Sequence, residues 1–258
     1  MEIIKNLRYK ISNIYVMVWR SFIHSVRTAD IIVTSTILPT IILLILVGLM
    51  GGAIDTGNVE YIDFVLPGMI LLCIGYGASM NAVSITSDIK KGIIDRFSSM
   101  PISKTSFLTG HVIASVFRNF ISIILIIIVA FLIGFSTKAG IREWIFICFM
   151  IFLYSLALTW VSVVIGIIAG TPESAQAFSF ILMFLPYFSS AFVPTDNMAI
   201  GLKFFAENQP LNSIILTIRA LFMNESPGNI AYIAILWSLG IILVFYITAY
   251  YLFNKKTA

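Results

Sequence analysis

Long apolar runs separated by short polar segments dominate the pattern of this chain. A membrane-spanning helix needs about 20 predominantly apolar residues, and its backbone groups must be hydrogen-bonded internally because lipid offers no partners. Six runs meet this requirement, at 31–51, 62–84, 110–134, 144–169, 174–193 and 230–253. The pattern therefore predicts an all-α integral membrane protein with six transmembrane helices.

The segment ahead of the first run has a helical pattern of its own. Its apolar residues recur at helical spacing, with basic residues on the other faces, and Trp19 lies among them. This arrangement predicts an amphipathic helix in the cytoplasmic headgroup layer, within a tail of residues 1–30. The alternative is a helix packed against a soluble domain. The six-helix transmembrane domain then occupies residues 31–258.

Residues 194–229, here called the outer segment, join the fifth and sixth runs. They are largely apolar, but neither half is long enough to span a membrane comfortably. Pro210 lies between the halves; it has no N–H and disfavours helix in the residue before it. The outer segment is therefore predicted to form two short re-entrant helices that dip into the outer leaflet.

The distribution of charge predicts the orientation. Charged residues make up 11% of the 258 residues, against roughly a quarter in soluble domains. Twelve of the 16 Lys and Arg residues lie at the termini and around the connection 85–109, and four lie on the opposite side. The positive-inside rule places both termini and this connection in the cytoplasm of a multi-pass plasma-membrane protein. The net charge of +4 thus reports orientation, and no nucleic-acid partner is expected.

The connection contains a charged island, Asp88–Ser103, in an otherwise apolar chain. Apolar residues alternate with its charges, so it can form a short amphipathic helix on the cytoplasmic surface, which Pro101 would end. One interpretation is a surface on which a partner protein pushes. The other is a basic loop that only fixes the topology.

Motifs for catalysis are missing from the sequence. It contains no phosphate-binding loop, no nucleophile elbow and no zinc-protease motif. Two cysteines and two histidines stand apart from one another, so neither a disulfide framework nor a metal site is expected. Arg118 is the clear ionisable residue within a run, and it is expected to reach the cytoplasmic interface by snorkelling. The scarcity of ionisable residues within the runs weakens the hypothesis that the chain is an ion-coupled carrier.

Two further groups of residues allow a structural or a functional interpretation. The turn Thr171–Pro172–Glu173 has the composition of a helix start and needs no further role. Polar and aromatic residues of the second and fifth runs either pack helices together or line a lipid-like path or subunit seam. These residues are Asn81, Phe178, Phe184, Tyr187 and Phe188.

The charged island resembles the signature loop of type-2 ABC export permeases, most closely the daunorubicin-resistance-like branch. That loop has the form D-x-x-x-G-x-x-D-R-F-x-x-[LM]-P, which the sequence matches from Asp88 to Pro101. The stretches 188–194, 205–210 and 218–221 resemble the outer part of the same branch. Asn208 and Asn212 stand where this branch often has His and Thr.

The resemblance implies a permease subunit without a nucleotide site or cofactor of its own. Two such subunits, alike or different, would pair above two separate ATPase subunits that bind ATP and Mg²⁺. The N-terminal helix would be the connecting helix. The residues implied in coupling to the ATPase are Asp88, Lys91, Gly92, Ile94, Asp95, Arg96, Phe97, Met100 and Pro101.

The resemblance also implies roles for the remaining connections. Thr171, Pro172 and Glu173 would make a second cytoplasmic contact. The outer segment would close the extracellular exit, and the implied residues there are Pro194, Asn208, Pro210 and Arg219. Substrates would be amphipathic drugs, antibiotics, lipids or lipid-linked polymers. An ion-coupled transporter and a non-transporting immunity or sensor subunit remain the alternatives of another class.

Overall fold

The computed structural model describes residues 33–54, 59–92, 104–195 and 198–256, and this part of the chain is helical, without strands. The N-terminal amphipathic helix predicted within residues 1–30 lies outside the described residues. The α-helices are α1 Leu38–Met50, α2 Tyr61–Lys90, α3 Lys104–Leu132, α4 Ile141–Ile168, α5 Pro172–Phe184, α6 Ile200–Asn208, α7 Pro210–Phe222 and α8 Asn229–Lys256.

The all-helical membrane architecture is confirmed for the described residues, although not all predicted spans have full length. Four helices, α2, α3, α4 and α8, are long and apolar enough to cross a membrane. The first run forms a π-helix, Val33–Ile37, followed by the 13 residues of α1. In the fifth run, α5 ends at Phe184 and a 3₁₀-helix, Leu185–Phe188, follows. Pro186 explains this change, because it lacks an N–H and disfavours α-helix before it. Six complete spans stay a prediction.

Helix α2 is the centre of the bundle. It packs against α1, α3, α4, α5 and α7. Every residue from Tyr61 to Gly75 is buried. Helix α8, in contrast, packs against α4 and α7 at the periphery and exposes large apolar side chains such as Leu236 and Leu243. A helix that is apolar all round belongs inside a bundle or against lipid, and these two helices show the two cases.

Glycines bring α2 unusually close to its neighbours. A Cβ at Gly68 would lie 2.5 Å from the Cβ of Ala191, in the connection between α5 and α6. A Cβ at Gly75 would lie 2.9 Å from the backbone oxygen of Leu182 in α5. Helices in lipid associate through close van der Waals packing rather than a hydrophobic driving force. Small residues on α2 therefore set the distance between α2 and α5.

Hydrogen bonds between helices supply the second kind of link. Asn81 of α2 donates to the Ser162 hydroxyl of α4 at 2.9 Å. Thr86 of α2 donates to the backbone oxygen of Gly166, also at 2.9 Å. At the other end of α2, both carboxylate oxygens of buried Asp63 accept from Ser136, from its backbone N–H at 3.0 Å and from its hydroxyl at 3.1 Å. These three polar groups of α2 each hold a neighbouring element in register.

Replacing Gly68 with alanine should lower the melting temperature of the detergent-solubilised protein. The added methyl group would overlap Ala191, and overpacking of this kind costs about 1–3 kcal/mol. Gly240→Ala is the control, since its Cβ would meet nothing within 4 Å and alanine favours helix by about 1 kcal/mol. Equal melting temperatures for the two variants would contradict the close packing at Gly68.

Candidate functional site

The C-terminal end of α2 leads directly into the charged island. The helix ends at Lys90, and Gly92 follows with φ +65°, a left-handed conformation that favours glycine. The Gly92 N–H donates to the Ile89 oxygen at 3.1 Å. The glycine of the island motif therefore turns the chain out of α2. Lys91 is exposed there, whereas Asp88, one turn earlier, is buried.

Most of the implied coupling residues lie outside the described residues, and their roles stay predictions. These residues are Ile94, Asp95, Arg96, Phe97, Met100 and Pro101.

A contact between Asp88 and His111 ties α2 to α3 beside the island. The His111 Nε2 lies 3.3 Å from the Asp88 Oδ2, and both residues are buried. Phe107 meets the His111 ring edge-on, with ring centroids 4.7 Å apart, and stacks on Phe253 of α8 at 6.0 Å. Sequence reasoning missed His111, because an isolated histidine gives no signal until folding brings it to the carboxylate.

Arg118 does not reach the interface as expected. Its side chain is buried, 6% exposed, and its guanidinium lies 3.3 Å from the hydroxyl of Ser115, one turn earlier in α3. The prediction of snorkelling was wrong because this face of α3 is covered by the bundle.

The start of α5 is confirmed at Thr171. Its hydroxyl accepts from the Ser174 N–H at 3.2 Å and its own N–H donates to the Ser174 hydroxyl at 3.0 Å, with Pro172 in the first turn. Backbone and Thr171 hydrogen bonds lower the pKa of exposed Glu173, and the charge of Lys90 adds to this effect. The turn therefore lies near the end of α2, and its contact with a partner stays a prediction.

The outer segment contains the two short helices that the sequence predicted, α6 and α7, with the break at Gln209 and Pro210. Gln209 donates from its side-chain amide to the Phe188 oxygen. Asn208 is exposed and donates to the Phe204 oxygen at 2.8 Å, within its own helix. Pro194 lies half-buried in the preceding connection. The depth of α6 and α7 in a membrane and the gating role of the outer segment stay predictions.

Arg219 fastens α7 to the outer half of α2. Its guanidinium donates to the Phe64 oxygen at 3.0 and 3.2 Å and to the Ser190 oxygen at 2.7 Å. It also lies over the Phe64 ring, 3.7 Å from the centroid. Asn212, two turns earlier on the same face of α7, accepts from the Ser190 N–H at 3.3 Å. One planar cation thus joins α7, α2 and the connection between α5 and α6.

The residues predicted to line a path or seam fall into two environments. Phe178, Phe184, Tyr187 and Phe188 are between 41% and 54% exposed, along α5 and the 3₁₀-helix. Asn81 is buried at the contact between α2 and α4, where it binds Ser162. Within a single chain, the aromatic residues are therefore accessible to a ligand or a second subunit, whereas Asn81 serves packing.

A cavity of about 480 Å³ opens between the α6–α7 junction and α8. Its lining combines amide, hydroxyl and carboxylate groups with aliphatic and indole side chains, a combination that suits amphipathic molecules. The lining residues are Glu207, Asn208, Gln209, Asn212, Ser213, Leu216, Ile230, Ile233 and Trp237. Over the described ranges, no group of three or more His, Cys, Asp or Glu residues could hold a metal ion.

Comparison with known proteins decides the family. Residues 12–223 match the family model described as ABC-2 type transporter. The chain belongs to the ABC-2 type transporter family. This ABC-2 chain is also 24% identical over 226 residues to the daunorubicin resistance ABC transporter permease protein DrrB1 of Streptomyces coeruleorubidus. The match covers 87% of this chain and 77% of that relative. The resemblance is therefore confirmed, and the chain is an ABC transporter permease homologue of the membrane.

Replacing Arg219 with lysine should loosen the attachment of α7. A single ammonium cannot bridge both carbonyl oxygens and stack on Phe64, so hydrogen exchange of residues 188–192 should accelerate by about tenfold. The control is Lys203→Met, which removes an exposed pair with Glu207 at 3.8 Å. Exchange at the rate of the unmodified protein in Arg219→Lys would show that the bridge contributes little.

Proposed function

We propose that this chain is the transmembrane permease subunit of an ATP-driven exporter that moves an amphipathic drug, antibiotic or lipid-like molecule out of the cell. The supporting observation is the family match over residues 12–223, which includes both the charged island and α7. Two copies of a separate ATPase subunit would bind ATP and Mg²⁺. Two permease subunits, identical or different, would enclose the path between them.

Helix α2 supplies the physical connection between the ATPase and the exit. Its 30 residues extend about 45 Å at 1.5 Å per residue, close to the full thickness of a bilayer. The charged island follows one end, and Arg219 fastens the outer segment near the other. Closure of the ATPase on ATP would press on the island, displace α2 and move the outer segment with it.

Three contacts support the part of the proposed orientation that places the C-terminus, the α4–α5 turn and the island end of α2 on one side. The Lys256 ammonium of α8 donates to the Ile167 oxygen at the end of α4 at 2.8 Å. The charge of Lys90 at the end of α2 contributes to lowering the pKa of Glu173 at the α4–α5 turn. These ends thus share one side, while Asp63 and Ser136 meet at the opposite end of α2. In the six-span arrangement, α1 and α5 with its 3₁₀-helix complete the bundle.

Lipid or lipid-linked polymer flipping is the second candidate within the same mechanism. The exposed aromatic residues of α5 and the 3₁₀-helix favour this candidate. An aromatic surface can pack against acyl chains as well as against an aromatic drug. Transport assays with a fluorescent lipid and with a cationic aromatic amphiphile would separate the two substrate classes.

Substitutions in the charged island should lower the rate of ATP hydrolysis by the permease–ATPase complex. Asp95→Ala and Phe97→Ala, at unchanged expression, should each reduce ATP hydrolysis of the permease–ATPase complex by roughly tenfold, as expected for an anchor residue of an interface. Lys138→Ala, on the opposite side of the bundle, is the control. Unchanged complex formation and turnover in the island variants would show that the island is not the coupling element.

The orientation is testable with single cysteines in a background where Cys73 and Cys148 are replaced. Lys91 and Lys138 are both exposed and lie at opposite ends of the bundle. A membrane-impermeant maleimide should label Lys138→Cys in intact cells and Lys91→Cys only after permeabilisation. The reverse pattern would invert the orientation, and labelling of both from outside would contradict the six-span arrangement.

A further inference from the structure

The first residue of the charged island, Asp88, contacts α3, the helix that follows the island. Asp88 lies in the last turns of α2 and His111 in the second turn of α3, and their side chains meet at 3.3 Å. Both side chains are less than a tenth exposed. Any displacement of the island therefore reaches α2 and α3 at the same point.

Aromatic packing holds the two side chains together. The His111 Nε2 lies 3.3 Å from the Asp88 Oδ2, within ion-pair distance. The His111 ring is held edge-on by Phe107, and Phe107 stacks on Phe253 of α8. The pair and the two rings thus join α2, α3 and α8.

This cluster belongs to a hydrophobic core that is distinct from the main one. Phe107, Val112, Trp160 and Phe253 pack together at the cytoplasmic end, while the larger core surrounds the outer half of α2. Thr86 makes a separate polar link at the same level, from α2 to α4. The Asp88–His111 contact therefore joins α2 to α3 beside the island, whereas the Thr86 link joins α2 to α4.

We propose that Asp88 and His111 are a positioning pair that transmits displacement of the island to α2 and α3 as one unit. This inference rests on the proposed function, in which the island receives the ATPase. With the pair intact, pressure on the island moves both helices and, through Phe107, the end of α8. Without it, α2 and α3 are no longer joined beside the island, and the displacement is not passed to both helices.

The test uses the permease with its cognate ATPase in lipid nanodiscs, with and without ATP and vanadate. Three quantities are measured: ATPase retained on the purified permease, the rate of ATP hydrolysis, and the nucleotide-induced change in hydrogen exchange of residues 194–222. The variants are Asp88→Asn, His111→Leu, their combination, and His111→Gln, which keeps a side-chain N–H. Thr86→Val is the matched control, because it removes a buried link from the same end of α2 to a different helix.

Asp88→Asn and His111→Leu should retain the ATPase and still hydrolyse ATP, but the exchange response of residues 194–222 should fall by about tenfold. The combined variant should be no worse than either single one, and His111→Gln should recover most of the response. A merely structural contact would lower stability without breaking the link between hydrolysis and the response.

Two results would overturn the inference while the proposed function stands. One is an unchanged exchange response in Asp88→Asn and His111→Leu. The other is an equal loss in Thr86→Val, which would indicate general loosening of the cytoplasmic end. If the unmodified permease neither retains the ATPase nor responds to nucleotide, the proposed function fails, and this inference falls with it.

Discussion

The burial of α2 on all sides is the constraint on which the rest of the bundle depends. In a membrane, lipid tails are as apolar as leucine, so helices gain little by hiding apolar surface and must fit closely instead. Gly68 and Gly75 provide that fit against Ala191 and Leu182. Because the contacts involve backbone and Cβ atoms, α2 cannot shift far without moving its neighbours. A helix packed in this way can carry displacement along its length.

Polar groups fix both ends of α2 to neighbouring elements. At the outer end, Arg219 and Asp63 bind backbone carbonyl and N–H groups, which fasten connections to α2. At the end that leads to the charged island, Asp88 meets His111 within an aromatic cluster. The two ends of one helix are thus each fixed to neighbouring elements.

Local pattern predicted much of this fold because its causes are local. Helix formation in α2, α3, α4 and α8 follows from long apolar runs, the start of α5 from the Thr171 cap, and the break before α7 from Pro210. The prediction was weaker at 174–193, where Pro186 converts the end of an apolar run into a 3₁₀-helix. It failed for Arg118, since the covered face of a helix depends on neighbours distant in sequence.

The sequence by itself determined the membrane class, the helical elements, the expected orientation and, through the motif of the charged island, the family. These properties depend on composition, charge and spacing along the chain. Only the tertiary structure decided that α2 is central, that Asn81 binds Ser162, that Arg219 joins three elements, and that His111 meets Asp88. Each of these contacts joins residues far apart in sequence. Their distance is set by helix packing, which no local pattern encodes.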